Sequence, residues 1–353
     1  MRAWEENIRK VVPYVPGEQP QSSGIIKLNT NENPYPPAPG VIKALSNLDT
    51  DLLRRYPDPA AAILVNAIAE HYHVNTDQVF VGVGSDDVLA MAFLTCFHSE
   101  KPILFPDITY SFYDVWAELF RIPYEVQPLD KHFRIRTEDY RKENGGIVFP
   151  NPNAPTGILK SLADIEEILR LNSDVIVIVD EAYIDFGGES ALPLLKKYDN
   201  LLIAQTFSKS RSMAGMRIGF LLGNPKLIGY ISDCKYSFNS YTMNQTALAL
   251  GVEAIRDDAY FHQCTQKIIE TREWAKTKFR KLGFTFTDSM ANFVFVTHQK
   301  YSAKELFAAL KKAGIYVRHF TKPEHISNYL RISIGTKEEM EALFTFLTQY
   351  VKG

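Results

Sequence analysis

The residue with the most chemical promise is Lys209, in the run Gln205-Thr206-Phe207-Ser208-Lys209-Ser210, with Ala214-Gly215-Met216-Arg217-Ile218-Gly219 just beyond it. The apolar stretch Leu201-Leu202-Ile203-Ala204 ahead of it reads as a buried parallel strand. That puts the lysine on the loop at the strand's carboxyl end, where α/β proteins place ligands. Thr206, Ser208 and Arg217 suit a phosphate while the amine meets an aldehyde, the requirement of pyridoxal phosphate. Taken alone, a lysine between two serines is an ordinary solvated loop residue, so other segments must decide.

The β-branched run Val175-Ile176-Val177-Ile178-Val179 delivers Asp180-Glu181-Ala182-Tyr183 at its carboxyl end. Burying a carboxylate without a partner is costly. Asp180 is therefore either a turn or capping residue or the partner of a protonated pyridine nitrogen, and Tyr183 would then reach the ring's phenolic oxygen. Gly146-Ile147-Val148-Phe149 leads into Pro150-Asn151-Pro152-Asn153-Ala154-Pro155-Thr156-Gly157, a loop whose three prolines fix φ and hold an Asn in one place at low entropic cost. Gly82-Val83-Gly84-Ser85-Asp86-Asp87 lies between a strand and a helix, so Ser85 and the first helical N–H groups form a phosphate cradle. The third glycine of a dinucleotide fingerprint would fall at Asp87, which excludes that reading. Tyr110, in Phe105-Pro106-Asp107-Ile108-Thr109-Tyr110, is placed either flat against a bound ring or in the core. Leu330, Ile332 and Ile334 alternate with Arg331, which points the other way, and Arg318 suits the same cleft. Two convergent arginines fit a carboxylate or phosphate, and solvated edge-strand arginines are the alternative. His71-Tyr72-His73 has a metal-like look without the accompanying ligands and reads as a solvated helix end; no metal is expected.

These side chains need a frame. Strand-like runs over 79–83, 102–105, 146–149, 175–179, 201–204 and 218–222 alternate with helical patterns such as 87–97 and 161–171. That is a mostly parallel sheet covered by helices, an α/β fold. Beyond about residue 245 come helical stretches over 246–281 and 303–313, with strand candidates at 293–296, 315–318 and 329–334, a smaller α+β unit. The expected division is an arm over 1–27, a large domain over 28–262 and a small C-terminal domain over 263–353.

With 353 residues, 46% of them hydrophobic, the chain can bury two cores, and a formal charge of -2 advertises neither nucleic acid nor membrane. Cys96, Cys234 and Cys264 are widely separated and in no disulfide or zinc spacing, which suits a reducing cytoplasm. No apolar run reaches the roughly 20 residues of a membrane span.

Taken together, the segments resemble the fold-type I pyridoxal-phosphate aminotransferases. Beyond those already quoted, the resemblance rests on Pro13-Tyr14-Val15-Pro16-Gly17, Leu28-Asn29-Thr30-Asn31-Glu32-Asn33-Pro34 and Arg55-Tyr56-Pro57-Asp58-Pro59, which are similar to the family's histidinol-phosphate branch. It implies that Lys209 is the Schiff-base lysine, that Asp180 holds the pyridinium, that Asn153 and Tyr183 bond the phenolic oxygen and that Tyr110 stacks on the ring. The phosphate would lie among Ser85, Asp86, Thr206, Ser208 and Arg217. Tyr56 would reach it from a second subunit of a homodimer, and Tyr14, Asn31, Arg318 and Arg331 would bind substrate. The implied reaction exchanges an amino group between histidinol phosphate and 2-oxoglutarate, giving glutamate. A broad aromatic aminotransferase or a threonine-phosphate decarboxylase would use much the same residues. An effector-sensing module of a regulator would need a DNA-binding domain, and the arm is too short to supply one. The family's usual pattern is broken at Pro36, Asp87, Ile108 and Ala154, none of which carries a chemical role.

Overall fold

The computed structural model describes residues 2–20 and 23–352; Met1, Gln21, Ser22 and Gly353 lie outside the described residues. The order is β1 (Ile26–Lys27), α1 (Pro39–Ser46), α2 (Ala62–Tyr72), β2 (Val79–Gly82), α3 (Ser85–Cys96), β3 (Ile103–Pro106), α4 (Tyr113–Phe120), β4 (Tyr124–Gln127), β5 (Gly146–Pro150), α5 (Leu162–Leu171), β6 (Val177–Asp180), β7 (Leu201–Thr206) and β8 (Gly219–Gly223). It continues with α6 (Pro225–Phe238), α7 (Gln245–Arg256), α8 (Asp258–Lys281), β9 (Phe284–Phe286), β10 (Phe293–His298), α9 (Ala303–Lys312), β11 (Ile315–Tyr316), β12 (Arg318–His319), β13 (Leu330–Ser333) and α10 (Lys337–Lys352).

Seven strands form the main sheet in the order β2-β8-β7-β6-β5-β3-β4, and only β8 runs against its neighbours. The unbroken apolar runs of the sequence are explained by burial on both faces. Val177, Val179, Leu201 and Ile203 pack in one layer with residues of α2, α5 and α7, whereas Ile178, Leu202 and Ala204 pack in the other with residues of α3, α4 and α6. Each strand thus feeds two cores at the period of two that a pleated strand dictates. Helix starts follow their caps: Ser161 accepts from the Asp164 N–H, Asn244 from Ala247 and Ser302 from Glu305.

A separate core joins α8, α9 and α10 to the four-stranded sheet β12-β13-β10-β9, and Leu28 is buried in it. One sequence expectation is corrected here. The helical stretch over 246–281 is two helices, because Asp257 leaves the helical conformation (φ -89°, ψ 73°) and caps α8 by accepting from the Tyr260 N–H. The end of the arm is also tied down, since Ile26 and Lys27 pair in parallel with Ile315 and Tyr316. The expected boundary at 262/263 falls within α8. No helix among the described residues is long and apolar enough to cross a membrane.

Candidate active site

Five parallel strands and their following loops converge at one edge of the main sheet, delivering Ser85 after β2, Tyr110 after β3, Asn153 after β5, Asp180 at the end of β6, and Ser208 and Lys209 after β7. Because β8 runs the opposite way, Arg217 enters it at that same edge. A cavity of about 360 Å³ is lined there by Ser85, Asp86, Tyr110, Asp180, Ser208, Lys209 and Arg217. A second, about 170 Å³, is lined by Tyr14, Asn31, Tyr110, Tyr183, Lys209, Arg318 and Arg331. Thr30, Tyr110, Ala154, Tyr183 and Lys209 line both, so the lysine stands at the seam.

The lysine's Nζ donates to the Thr30 carbonyl at 3.0 Å and lies 5.8 Å from the centre of the Tyr183 ring. Thr30 drew no attention in the sequence because its backbone, not its side chain, makes this contact. Burial pushes the Asp180 carboxyl up to about 6, against hydrogen bonds from the Tyr113 hydroxyl (3.0 Å) and the Ala182 N–H (3.2 Å). No cation reaches it in an ion pair among the described residues, so the floor of the larger cavity offers a buried carboxylate in want of a positive partner.

The opposite end of that cavity is basic and rich in donors. Arg217 contacts Ser208 Oγ at 3.4 Å and pairs with Asp86 at 3.1 Å, and the Tyr110 hydroxyl donates to the other Asp86 oxygen at 2.6 Å. Gly84 caps α3 without a side chain, at φ +88°, and a Cβ placed there would stand 2.4 Å from Arg217 Nη2. The close approach of guanidinium and helix start therefore requires this glycine. Thr206 does not line the cavity; its hydroxyl lies behind, donating to the Ile218 carbonyl at 3.1 Å and standing 3.0 Å from Ser208 Oγ.

In the smaller cavity Arg331 donates to the Asn29 carbonyl at 3.0 Å, while its Nε is buried with no hydrogen-bond partner among the described residues. Burial, with Arg318 adding to it, lowers its pKa. Arg318 stands beside it on the neighbouring strand. Asn31, at φ +57°, is fastened by its N–H to Ser333 Oγ (2.9 Å) and donates through Nδ2 to the Tyr183 hydroxyl (3.0 Å). Tyr14 stacks on Phe112 at 4.2 Å, which sets the arm against this cavity.

Two more expected residues stand apart. Asn153 is buried and lines neither cavity; its amide donates to the Ile108 carbonyl at 2.9 Å and to Thr156 Oγ1 at 3.2 Å. Tyr56 is 80% exposed, leans on Tyr241 at 4.6 Å and lines neither cavity. The reading of His71 as solvated is corrected: it contacts Arg211 at 3.1 Å and Asp258 at 3.3 Å, and burial followed by the Arg211 charge brings its pKa down to about 4. The missed Arg211 is itself buried, holding the lysine loop to the Ala254 carbonyl at 2.8 Å.

A strand-end lysine, a strand-end aspartate and a donor-rich helix start beside an arginine, on a mostly parallel sheet, suit an aminotransferase-like fold. The chain belongs to the aminotransferase class I and II family, whose model matches residues 23–347. It is 52% identical over 350 residues to the histidinol-phosphate aminotransferase of Lactococcus lactis subsp. cremoris, covering 99% of this chain and 98% of the relative. The corresponding enzyme of Clostridium botulinum is 51% identical over 338 residues, or 96% and 95% of the two chains. Among solved structures, the histidinol-phosphate aminotransferase of Clostridium acetobutylicum superposes with TM-score 0.85 at 22% identity over 93% of this chain and 99% of its own. That of Sinorhizobium meliloti, in complex with pyridoxal-5'-phosphate, gives TM-score 0.83 at 23% identity over 93% and 91%. These two likenesses concern the fold.

Proposed function

We propose that this protein is a pyridoxal-phosphate-dependent aminotransferase that moves the amino group of L-histidinol phosphate to 2-oxoglutarate, giving imidazole-acetol phosphate and L-glutamate in histidine biosynthesis. The observation that carries it is the pair of cavities meeting at Lys209, one ending in a buried carboxylate and a donor-rich helix start, the other in two arginines that make no ion pair among the described residues. Full-length identity to histidinol-phosphate aminotransferases supports the substrate.

The residues fit the cofactor at both ends. Asp180 answers a protonated ring nitrogen, and Arg217, Ser208, Ser85 and the first N–H groups of α3 answer a phosphate. Tyr110 would lie against the ring, and Asn153 and Tyr183 would serve its phenolic oxygen, which asks Asn153 to exchange one of its loop contacts. When bound, pyridoxal phosphate supplies a carbonyl that condenses with amines and a ring that accepts electrons from the substrate α-carbon. Lys209, tethered to Thr30 at the seam, takes the proton from that α-carbon. Arg331 and Arg318 bind the phosphate of one substrate and a carboxylate of the other in alternate half-reactions, and Asn31 and Tyr14 orient what they hold.

This reading includes a homodimer in which the partner subunit's Tyr56 completes the phosphate site; the exposure of Tyr56, Tyr241, Phe238 and Leu53 supports it. Residues 28–262 would form the cofactor domain and 263–353 the small domain, with Leu28 bridging into the latter. The test is a titration of the cofactor-loaded enzyme's visible band with L-histidinol phosphate and, separately, L-phenylalanine. Bleaching at low histidinol phosphate, with phenylalanine needed in large excess, is the expected result; an equal response would make it a broad aromatic aminotransferase.

A further inference from the structure

Tyr113 makes a close polar contact to the reacting apparatus that the proposal above leaves unused. It is the first residue of α4, fully buried, with its ring 5.8 Å from Phe105 and 5.9 Å from Phe93. It lines neither cavity. Packing accounts for the ring but not for the hydroxyl, since a phenylalanine would fill nearly the same space and a buried hydroxyl costs free energy unless it is bonded. That hydroxyl donates to Asp180 Oδ2 at 3.0 Å, while Ala182 N–H occupies Oδ1 at 3.2 Å. One donor per oxygen fixes the plane of the carboxylate at the cavity wall.

We propose that Tyr113 is a positioning residue for the transamination: its hydroxyl keeps Asp180 ionised and in one orientation, so that the carboxylate is ready for a cationic ring nitrogen. The inference rests on the assignment of Asp180 to that nitrogen. The groups facing Asp180 are Asp86 from the start of α3, which opposes ionisation, Lys209 from the loop after β7, which favours it, and the Tyr110 and Tyr113 hydroxyls. Burial is the largest influence on the carboxyl, and the Tyr113 hydrogen bond is the largest that counters it. Losing a hydrogen bond to a charged group therefore raises the carboxyl pKa by about one unit. A carboxyl in its acid form must release a proton to pair with a pyridinium, so cofactor affinity falls about tenfold per pH unit below that pKa.

The experiment compares wild type, Tyr113→Phe and Asp180→Asn as holoenzymes in equilibrium dialysis between pH 5 and 9, reading the cofactor retained, with near-UV circular dichroism as the check on folding. In Tyr113→Phe the acid-side midpoint of retention moves up by about one pH unit, and in Asp180→Asn retention is weak throughout with no acid-side midpoint. A Tyr113→Phe curve that superimposes on wild type, beside a weakened Asp180→Asn, overturns the role of Tyr113 alone. An Asp180→Asn curve identical to wild type overturns the assignment of Asp180 and this inference with it. Should Tyr113→Phe fail to fold, para-aminophenylalanine incorporated at position 113 keeps the ring with a weaker donor; a smaller upward shift supports the proposal and no shift overturns it.

Discussion

Arg318 and Arg331 stand directly opposite each other in the register of β12 and β13, two guanidinium groups on neighbouring strands with no ion pair to either among the described residues. Like charges so placed repel each other until an anion arrives. The strain is tolerable because Arg331 lies over the faces of Phe293 and Phe320, at 5.4 and 5.9 Å, and because the cavity between them is built to be filled.

Arg331→Ala is therefore expected to raise KM for both amino donor and keto acid by roughly 10–100-fold, the worth of a charged hydrogen bond. Steady-state kinetics with each substrate varied in turn checks this. An effect on one substrate alone would mean that the two anions use different arginines.

Lys209→Ala removes the only amine at the seam of the cavities. Turnover is expected to fall to about 10⁻³ of wild type or below, and borohydride should no longer fix the cofactor to the chain, as read by intact-protein mass. Wild-type protein gains that mass after the same treatment.

Asp180→Asn is expected to slow the reaction by ~10²–10³-fold through loss of the charge facing the ring. Its effect on stability has the opposite sign. The folded carboxyl, raised to about 6 by burial, binds its proton more tightly than the unfolded one, so the wild-type protein loses stability from this group as pH rises through the window between the two values. Denaturant midpoints of the cofactor-free proteins at pH 4.5 and 7.5 should show the Asn variant gaining on wild type at the higher pH, by up to about 2 kcal/mol.

At Gly84 an alanine would meet Arg217 and would have to hold φ +88°. We expect Gly84→Ala to weaken cofactor binding about tenfold or more while the protein still folds. Fluorescence titration of the cofactor-free protein measures it; unchanged affinity would mean that Arg217 can hold a phosphate from another position.

The proposed sharing of the site between subunits is open to a mixing experiment. Tyr56→Ala and Lys209→Ala, unfolded together in equal amounts and refolded, should recover about a quarter of wild-type turnover, since half the dimers are hybrids with one intact site of two. No recovery above the separate variants would mean that Tyr56 acts within its own chain or not at all.

Much of this was legible in the sequence, for reasons that are themselves structural. The run 175–179 is apolar throughout because β6 is covered on both faces, and its end is therefore marked by the first polar residue, Asp180. Arg331 could be aimed because Leu330 and Ile332 face the core of the small sheet, which turns the residue between them to the opposite face and the cavity. What escaped was carried by groups without a distinctive letter: the Thr30 carbonyl, or a Tyr113 hydroxyl hidden in what reads as a core aromatic. The break at Asp257 was missed because the residues on both sides favour helix, and the partners of His71 because Arg211 and Asp258 are distant in the chain.

The reversal of β8 carries one more consequence. The chain leaves β7 at the ligand edge and re-enters β8 at the same edge, so Lys209 and Arg217 are the two ends of a single short loop anchored in one sheet. A motion of the small domain against the main sheet leaves the backbone separation of these two residues unchanged. With the proposed roles of its two ends, the loop would work as a fixed gauge, and an aldehyde whose phosphate hangs on a longer or shorter tether would be rejected by measurement rather than by recognition of its ring.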